Sequence, residues 1–148
     1  MKFSDLFQND ILWSGLLAWA VAQILKSVIF AIQNRRFELE RLFGDGGMPS
    51  GHSALVSSVA TACAVRCGLA SVEFAVSTVL ALVVVHDAYG IRLESGKQAR
   101  AINEMVAVLK SSSPLEHIQN LKELLGHTPL QVLFGCIVGI SVGLLVTL

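Results

Sequence analysis

Residues 11–32 read ILWSGLLAWAVAQILKSVIFAI, and Lys26 is the one charged residue among them. As an α-helix this run extends about 33 Å, because each residue adds about 1.5 Å. The hydrocarbon core of a bilayer is about 30 Å thick, so the run is long enough to cross it. The stretch therefore predicts a membrane-spanning helix near the start of the chain.

The same run contains AWAVA (18–22), which is similar to the small-residue cleavage site of a secretory signal peptide. The flank before the run, however, carries Asp5 and Asp10, where a signal peptide carries cations. The apolar run also continues for ten residues beyond the motif. We therefore expect the segment to be retained as a membrane anchor.

Three more apolar runs follow, and the composition of the whole chain agrees with a membrane setting. The chain has 148 residues, of which 53% are hydrophobic and 15% charged, whereas soluble domains carry about 25% charged residues. A soluble bundle this small could hardly bury four such helices. The sequence predicts an all-α, multi-pass transmembrane helical bundle, a single domain over residues 1–148. Its membrane helices are predicted near residues 11–32, 53–69, 72–87 and 130–148; the second and third are short, so a tilted or re-entrant arrangement stays open.

Charge and cysteine content exclude several classes of protein. The formal net charge is zero, so no basic excess points to a nucleic-acid partner. The three cysteines all lie within apolar runs, which argues against a disulfide framework or a metal site.

The basic residues predict the orientation in the membrane. With four crossings, the loops at 33–52 and 86–129 share one side, and the N-terminus, the 66–72 turn and the C-terminus share the other. The first side carries eight cations, Arg35, Arg36, Arg41, Arg92, Lys97, Arg100, Lys110 and Lys122, and the second carries Lys2 and Arg66. Cytoplasmic loops are enriched in Lys and Arg, so both large loops are predicted to be cytoplasmic and both termini outside.

Two amphipathic helices are predicted in the second loop. Ser95 and Gln98 have capping-box spacing at the start of one, and Ser113 with Pro114 marks the start of the other. Both helices would lie on the membrane surface or pack on the bundle.

Four predicted helices bring ionisable residues to the cytoplasmic face. Lys26, His52, His86, Asp87 and His127 all lie near that end of a helix. Placing ionisable groups within the membrane or at its surface costs free energy, so the convergence of these residues predicts a functional site.

GDGGMPSGHSAL (44–55) is the loop that enters this site. Its glycines allow a tight reversal, and Ser50 suits the N-cap of the next helix. The free amides of a helix start beside glycine can bind an anion, and His52 could protonate a leaving oxygen. An ordinary turn with a capped helix and an incidental histidine is the alternative.

Four blocks together resemble a known family: AWAVAQILK (18–26), GGMPSGHSALV (46–56), HDAYGIRLESGKQARAIN (86–103) and LKELLGHTPLQVLFG (121–135). They are similar to the divergent branch of the type 2 phosphatidic acid phosphatase superfamily, also labelled acid phosphatase/vanadium-dependent haloperoxidase-related. The resemblance implies a membrane phosphohydrolase that acts on a lipid-linked phosphate or pyrophosphate through a histidine nucleophile, without a metal or other cofactor.

The second motif of the superfamily carries over intact as Pro49, Ser50, Gly51 and His52. Lys26 and Arg35 resemble the first motif, with a longer gap and without the proline that follows. Lys122, His127 and Gln131 resemble the third, with glutamine where an acid is expected. That glutamine could orient a histidine ring, but it could not stabilise imidazolium as a carboxylate would.

The leading hypothesis assigns roles to these residues and to others outside the motifs. His127 would be the nucleophile, His52 the general acid, and Asp87 would orient or balance a histidine. The phosphate would be held by Lys26, Ser50, Gly51, Arg92, Lys97, Arg100 and Lys122. A non-catalytic protein that binds anionic head groups or a partner is the second hypothesis, and a metal site of His52, His86 and Asp87 is the third. Gly135, Gly139 and Gly143 form a small-residue face that would suit a homodimer.

Overall fold

The computed structural model describes residues 3–35, 47–112, 121 and 127–148, without the side chains of 91–93 and 109–112. A short 3-10 helix, Phe3–Gln8, precedes the α-helices. The described residues form α1 (Asp10–Asn34), α2 (Gly51–Cys67), α3 (Val72–Tyr89), α4 (Ile91–Ser112) and α5 (Pro129–Thr147). No strand occurs among them, and the predicted all-α bundle is confirmed.

Polar residues fix where the helices begin. Asn9 caps α1 by accepting from the N–H of Leu12, and Ser71 caps α3 by accepting from that of Phe74. Ser50 caps α2, as predicted. Each cap satisfies an amide that the first helical turn leaves without a partner.

α2 is the central helix, and it packs against α1, α3 and α5. The close approach to α5 depends on three glycines. A Cβ added to Gly139 would lie 2.2 Å from the carbonyl oxygen of Ala54, and one added to Gly135 would lie 2.5 Å from that of Ser50. Gly143 faces Ser58 in the same way. The prediction that these glycines form a free dimer face is therefore wrong, because the stripe is buried inside the chain.

A stripe of small residues on α1 packs where α1 meets α2 and α5. Ser14, Ala18 and Ala22 follow one another at intervals of four, and each is completely or almost completely buried. Residues four apart lie on one face of a helix, and small side chains let two backbones approach closely. At the end of the bundle away from His52, Asp10 and Arg66 form a salt bridge that joins the start of α1 to the end of α2.

Long apolar helices surround α2, and their outward faces are exposed. Three stretches are long and apolar enough to cross a membrane: Asp10–Asn34, Val72–Val108 and Pro129–Thr147. On α3, Val76, Val79 and Leu82 are each more than half exposed, as lipid-facing side chains would be. α2 has 17 residues, about 26 Å of helix, slightly less than the bilayer core. The four-crossing arrangement stays a prediction.

α4 follows α3 almost without interruption. The N–H of Glu94 donates to the carbonyl of Gly90 (3.1 Å), so helical bonding begins before the predicted cap at Ser95. The prediction that a helix begins at Ser95 is therefore wrong. The second predicted helix of this loop, from Ser113, lies outside the described residues.

The glycine stripe gives a test of the packing. Gly139→Val is expected to destabilise the bundle by about 3 kcal/mol, the upper end for overpacking, because the obstructing atom is a backbone carbonyl oxygen. Ile140→Val is the matched control, since Ile140 is adjacent on α5 and exposed. Thermal unfolding in detergent measures both, and equal midpoints for the two variants would contradict this packing.

Candidate active site

A cavity of about 220 Å³ lies where α2 begins, α3 ends and the chain enters α5. Its lining residues are His52, Val83, Val84, Asp87, Ala88 and His127. The structure therefore brings together the three residues that the sequence predicted as catalytic, which lie far apart along the chain. Two imidazoles and a carboxylate in one cavity can transfer protons and attack an electrophile.

The start of α2 holds His52 in place. Ser50 is completely buried, and its hydroxyl accepts from the N–H (3.4 Å) and the hydroxyl (3.0 Å) of Ser53. The N–H of Ser50 donates to the carbonyl oxygen of Gln131 on α5 (3.0 Å). Ser50, which directly precedes α2, is thus bonded to both α2 and α5. The His52 side chain itself is exposed.

His127 lies just before α5 and is 9% exposed. The next residue, Thr128, caps α5 in a capping box: its hydroxyl accepts from the N–H of Gln131 (3.4 Å), and the Gln131 side-chain oxygen accepts from the N–H of Thr128 (3.0 Å). The oxygen that could have oriented the His127 ring is therefore engaged with the backbone. Asp87 is the carboxylate that lines the cavity with His127.

Asp87 lies in the last turn of α3, half-buried, with the buried Ala88 after it. Its neighbour His86 is exposed, and His86 Nδ1 lies 3.1 Å from the Tyr89 hydroxyl oxygen. Within the described residues, no three His, Cys, Asp or Glu side chains are placed to bind a metal ion. The hypothesis of a metal site of His52, His86 and Asp87 therefore has no support in this geometry.

Lys26 lies beside the loop that leads into α2. It is 6% exposed, and its Cγ atom lies 3.1 Å from where a Cβ on Gly47 would be. Gly47 has φ +90°, a conformation that favours glycine. The buried lysine stem thus packs on the glycine turn that the sequence singled out.

The other predicted phosphate ligands are placed less directly. Lys97 and Arg100 are exposed on α4, and each pairs with a glutamate of the same helix: Lys97 Nζ lies 2.7 Å from Glu94 Oε1, and Arg100 Nε 3.5 Å from Glu104 Oε1. Arg35 is exposed directly after α1. The backbone of Arg92 belongs to α4, but its side chain and all of Lys122 lie outside the described residues.

Two side chains that the sequence analysis did not select also face the start of α2. A Cβ on Gly51 would lie 3.3 Å from Trp19 Cδ1 and 3.8 Å from Gln23 Cδ. With Lys26, these residues follow one another at intervals of four and three, which places them on one face of α1. This spacing is the sequence signal by which Gln23 could have been selected.

Comparison with known proteins agrees with this architecture. The chain is 38% identical over 146 residues to the uncharacterized membrane protein YuiD of Bacillus subtilis (strain 168), covering 92% of each chain. No solved structure matches the chain. The model of the Divergent PAP2 family matches residues 7–142, which is nearly the whole length. The protein therefore belongs to the Divergent PAP2 family, a family of the superfamily that the sequence blocks resemble.

Proposed function

We propose that this membrane protein hydrolyses a lipid-linked phosphate through a phosphohistidine intermediate. The observation that carries the proposal is the cavity that His52, Asp87 and His127 line from three separate elements. Membership of the Divergent PAP2 family supports the same class of reaction.

In the first step, a neutral ring nitrogen of His127 attacks phosphorus. The nitrogen–phosphorus bond forms as the bond from phosphorus to the leaving oxygen breaks, and His52 gives that oxygen a proton. The carboxylate of Asp87 balances the positive charge that develops on the His127 ring. A buried nucleophile suits this role, since its ring is held in a restricted space.

In the second step, water attacks the phosphohistidine. His52, now neutral, accepts a proton from the water as the nitrogen–phosphorus bond breaks and inorganic phosphate leaves. His52 is exposed, so it can exchange protons with solvent between turnovers. The two steps return both histidines to their starting states.

The phosphoryl oxygens would be bound at the start of α2. The first amides of a helix attract anions, and Ser50 and Gly51 form this start without bulky side chains. Lys26 adds a positive charge beside the same loop. Arg92 and Lys122 stay predicted ligands whose side chains lie outside the described residues, whereas Lys97 and Arg100 would have to exchange their glutamate partners.

A lipid substrate is favoured by the position of the cavity. Val83 and Val84 form its apolar wall, and they belong to α3, whose outward face is apolar and exposed. A phosphate head group could therefore enter the cavity while its hydrocarbon part stays among apolar side chains.

Detergent-purified protein assayed against phosphatidate, a prenyl phosphate and p-nitrophenyl phosphate tests the proposal. We expect phosphate release from the lipids at a rate that a chelator does not change. The second candidate, a head-group binder without catalysis, is favoured by one observation: the residue four after His127 is Gln131, whose side-chain oxygen is engaged in the helix cap. Binding of phosphatidate without phosphate release would establish that candidate instead.

The proposed orientation gives a separate prediction. In a cysteine-free background, a cysteine at Ala70, in the turn between α2 and α3, is expected to react with an impermeant thiol reagent in intact cells. A cysteine at Gln98 on α4, which is also exposed, is expected to react only after the membrane is opened. The reverse pattern would invert the orientation, and labelling of both sites from outside would contradict the four-crossing arrangement.

A further inference from the structure

Gln23 lies on the buried face of α1, and its side-chain amide approaches the first turn of α2. Gln23 is only 8% exposed, and its Cδ atom lies 3.8 Å from where a Cβ on Gly51 would be. Since Gly51 has no side chain, no Cβ separates the Gln23 amide from the backbone at the start of this 17-residue helix.

The side-chain oxygen of Gln23 is buried, and no donor among the described residues lies within hydrogen-bond distance of it. Leaving such an atom without a partner is unfavourable, and a buried polar group of this kind calls for an explanation. Two nearby hydroxyls already have acceptors: that of Ser27 donates to the backbone carbonyl of Gln23 (3.0 Å), and that of Ser53 to Ser50 Oγ (3.0 Å). Gln23 therefore presents a buried acceptor that these hydroxyls do not use.

The electrostatics at this position favour an anion. The amides at the start of α2 carry partial positive charge. Lys26, three residues after Gln23 on the same face of α1, packs its side-chain stem against Gly47 and brings a positive charge to this region. A carboxamide complements these groups, because its nitrogen donates to an anionic oxygen and its oxygen accepts from a protonated one. Phosphate monoesters offer both kinds of oxygen near neutral pH, since their second pKa is about 6.

We propose that Gln23 binds the phosphoryl group of the substrate from the α1 side of the α2 start. This inference rests on the proposed function and extends it, because it adds to the phosphoryl site a neutral ligand that bonds both ionised and protonated oxygens. Gln23 and Lys26 would hold the equatorial oxygens from α1, while His52 and His127 act from the cavity that they line.

The test measures inorganic phosphate binding to the detergent-purified full chain. Gln23→Leu replaces the amide with an apolar side chain of similar volume, and Gln23→Met keeps its unbranched length should the leucine variant fail to fold. We expect the apparent Kd for phosphate to rise about ten- to a hundredfold in each, the usual value of a hydrogen bond to a charged group. The thermal unfolding midpoint without phosphate is expected to stay or rise, because an unsatisfied buried oxygen has been removed.

Gln33→Leu is the matched control, since Gln33 lies on the same helix and is exposed; its Kd is expected to equal that of the wild type. A second arm uses mixed micelles that contain phosphatidate or diacylglycerol. Gln23-dependent binding of phosphatidate but not diacylglycerol supports the inference and assigns the site to a lipid head group, whereas binding of free phosphate alone assigns it to the free ion.

Two outcomes would overturn the inference. One is a Kd unchanged in both Gln23 variants, with or without a higher unfolding midpoint, which would make Gln23 a purely structural residue. Another is a wild type that binds neither phosphate nor phosphatidate. Because binding needs no turnover, a protein with Gln23-dependent binding and no hydrolysis keeps this inference while the proposed function fails. A protein that hydrolyses lipid phosphates but binds phosphate equally well with and without the Gln23 amide keeps the proposed function, while this inference fails.

Discussion

Replacing His127 with alanine is expected to abolish phosphate release from lipid phosphates, a loss of more than about 10⁴-fold. The ring of His127 is the proposed nucleophile, and the other ionisable side chains of the cavity, His52 and Asp87, have the separate proposed roles of proton transfer and charge balance. Losses of this size are typical when a covalent nucleophile is removed. Brief incubation with ³²P-labelled substrate, followed by denaturation, should label the wild type and leave the His127→Ala variant without label.

His86→Ala is the matched control for this prediction. His86 is a histidine near the same end of the bundle, but it is exposed and lies within hydrogen-bond distance of Tyr89. We expect its activity to stay within about twofold of the wild type, the level of a surface substitution. A His127→Ala variant that folds normally and keeps a tenth or more of the activity would show that the nucleophile lies elsewhere.

The helix starts could be predicted because short polar signals encode them. Ser50 follows a glycine turn and precedes an apolar run, and it is the cap of α2 in the structure. The start of α4 was placed too late because a capping-box pattern at Ser95 occurs inside a longer helix, whose bonding begins at Gly90. A local pattern cannot show whether an earlier turn already continues into it.

The packing partners of the small-residue faces could not be predicted. Gly135, Gly139 and Gly143 would allow close approach of any helix, so the sequence does not distinguish a second copy from α2 of the same chain. The structure places them against the carbonyls of Ser50, Ala54 and Ser58. The choice depends on which helices the connecting loops bring together, and that is a property of the whole fold.

The sequence predicted only part of the candidate site. His52, Asp87 and His127 each lie at the same end of a predicted helix, so an orientation argument alone was enough to bring them near each other. The sequence pattern assigned Gln131 the role of ring partner, whereas the structure shows its side-chain oxygen in the helix cap. Gln23 was missed because its spacing from Lys26 places both on one face of α1 but does not show which helix that face contacts.

Replacing His52 with alanine is expected to slow the hydrolysis of a lipid phosphate by about 10²–10⁴-fold, the usual contribution of a general acid. The alkoxide leaving group of such a lipid is strongly basic and needs a proton as its bond to phosphorus breaks. p-Nitrophenolate is a stable anion and needs little protonation, so the loss in the rate of leaving-group release during the first turnover should be much smaller with p-nitrophenyl phosphate. The comparison of the two substrates separates proton donation from a general effect on the fold.

Labelling of the protein distinguishes His52 from the nucleophile. The His52→Ala variant retains His127, so it should still form the phosphohistidine, and with p-nitrophenyl phosphate the label should persist longer than in the wild type. The reason is that His52 also accepts the proton of the attacking water in the second step, and its loss slows release of phosphate from His127. Equal losses with both substrates, together with no covalent label, would contradict the acid–base role and leave His52 as a residue that binds phosphate at the start of α2.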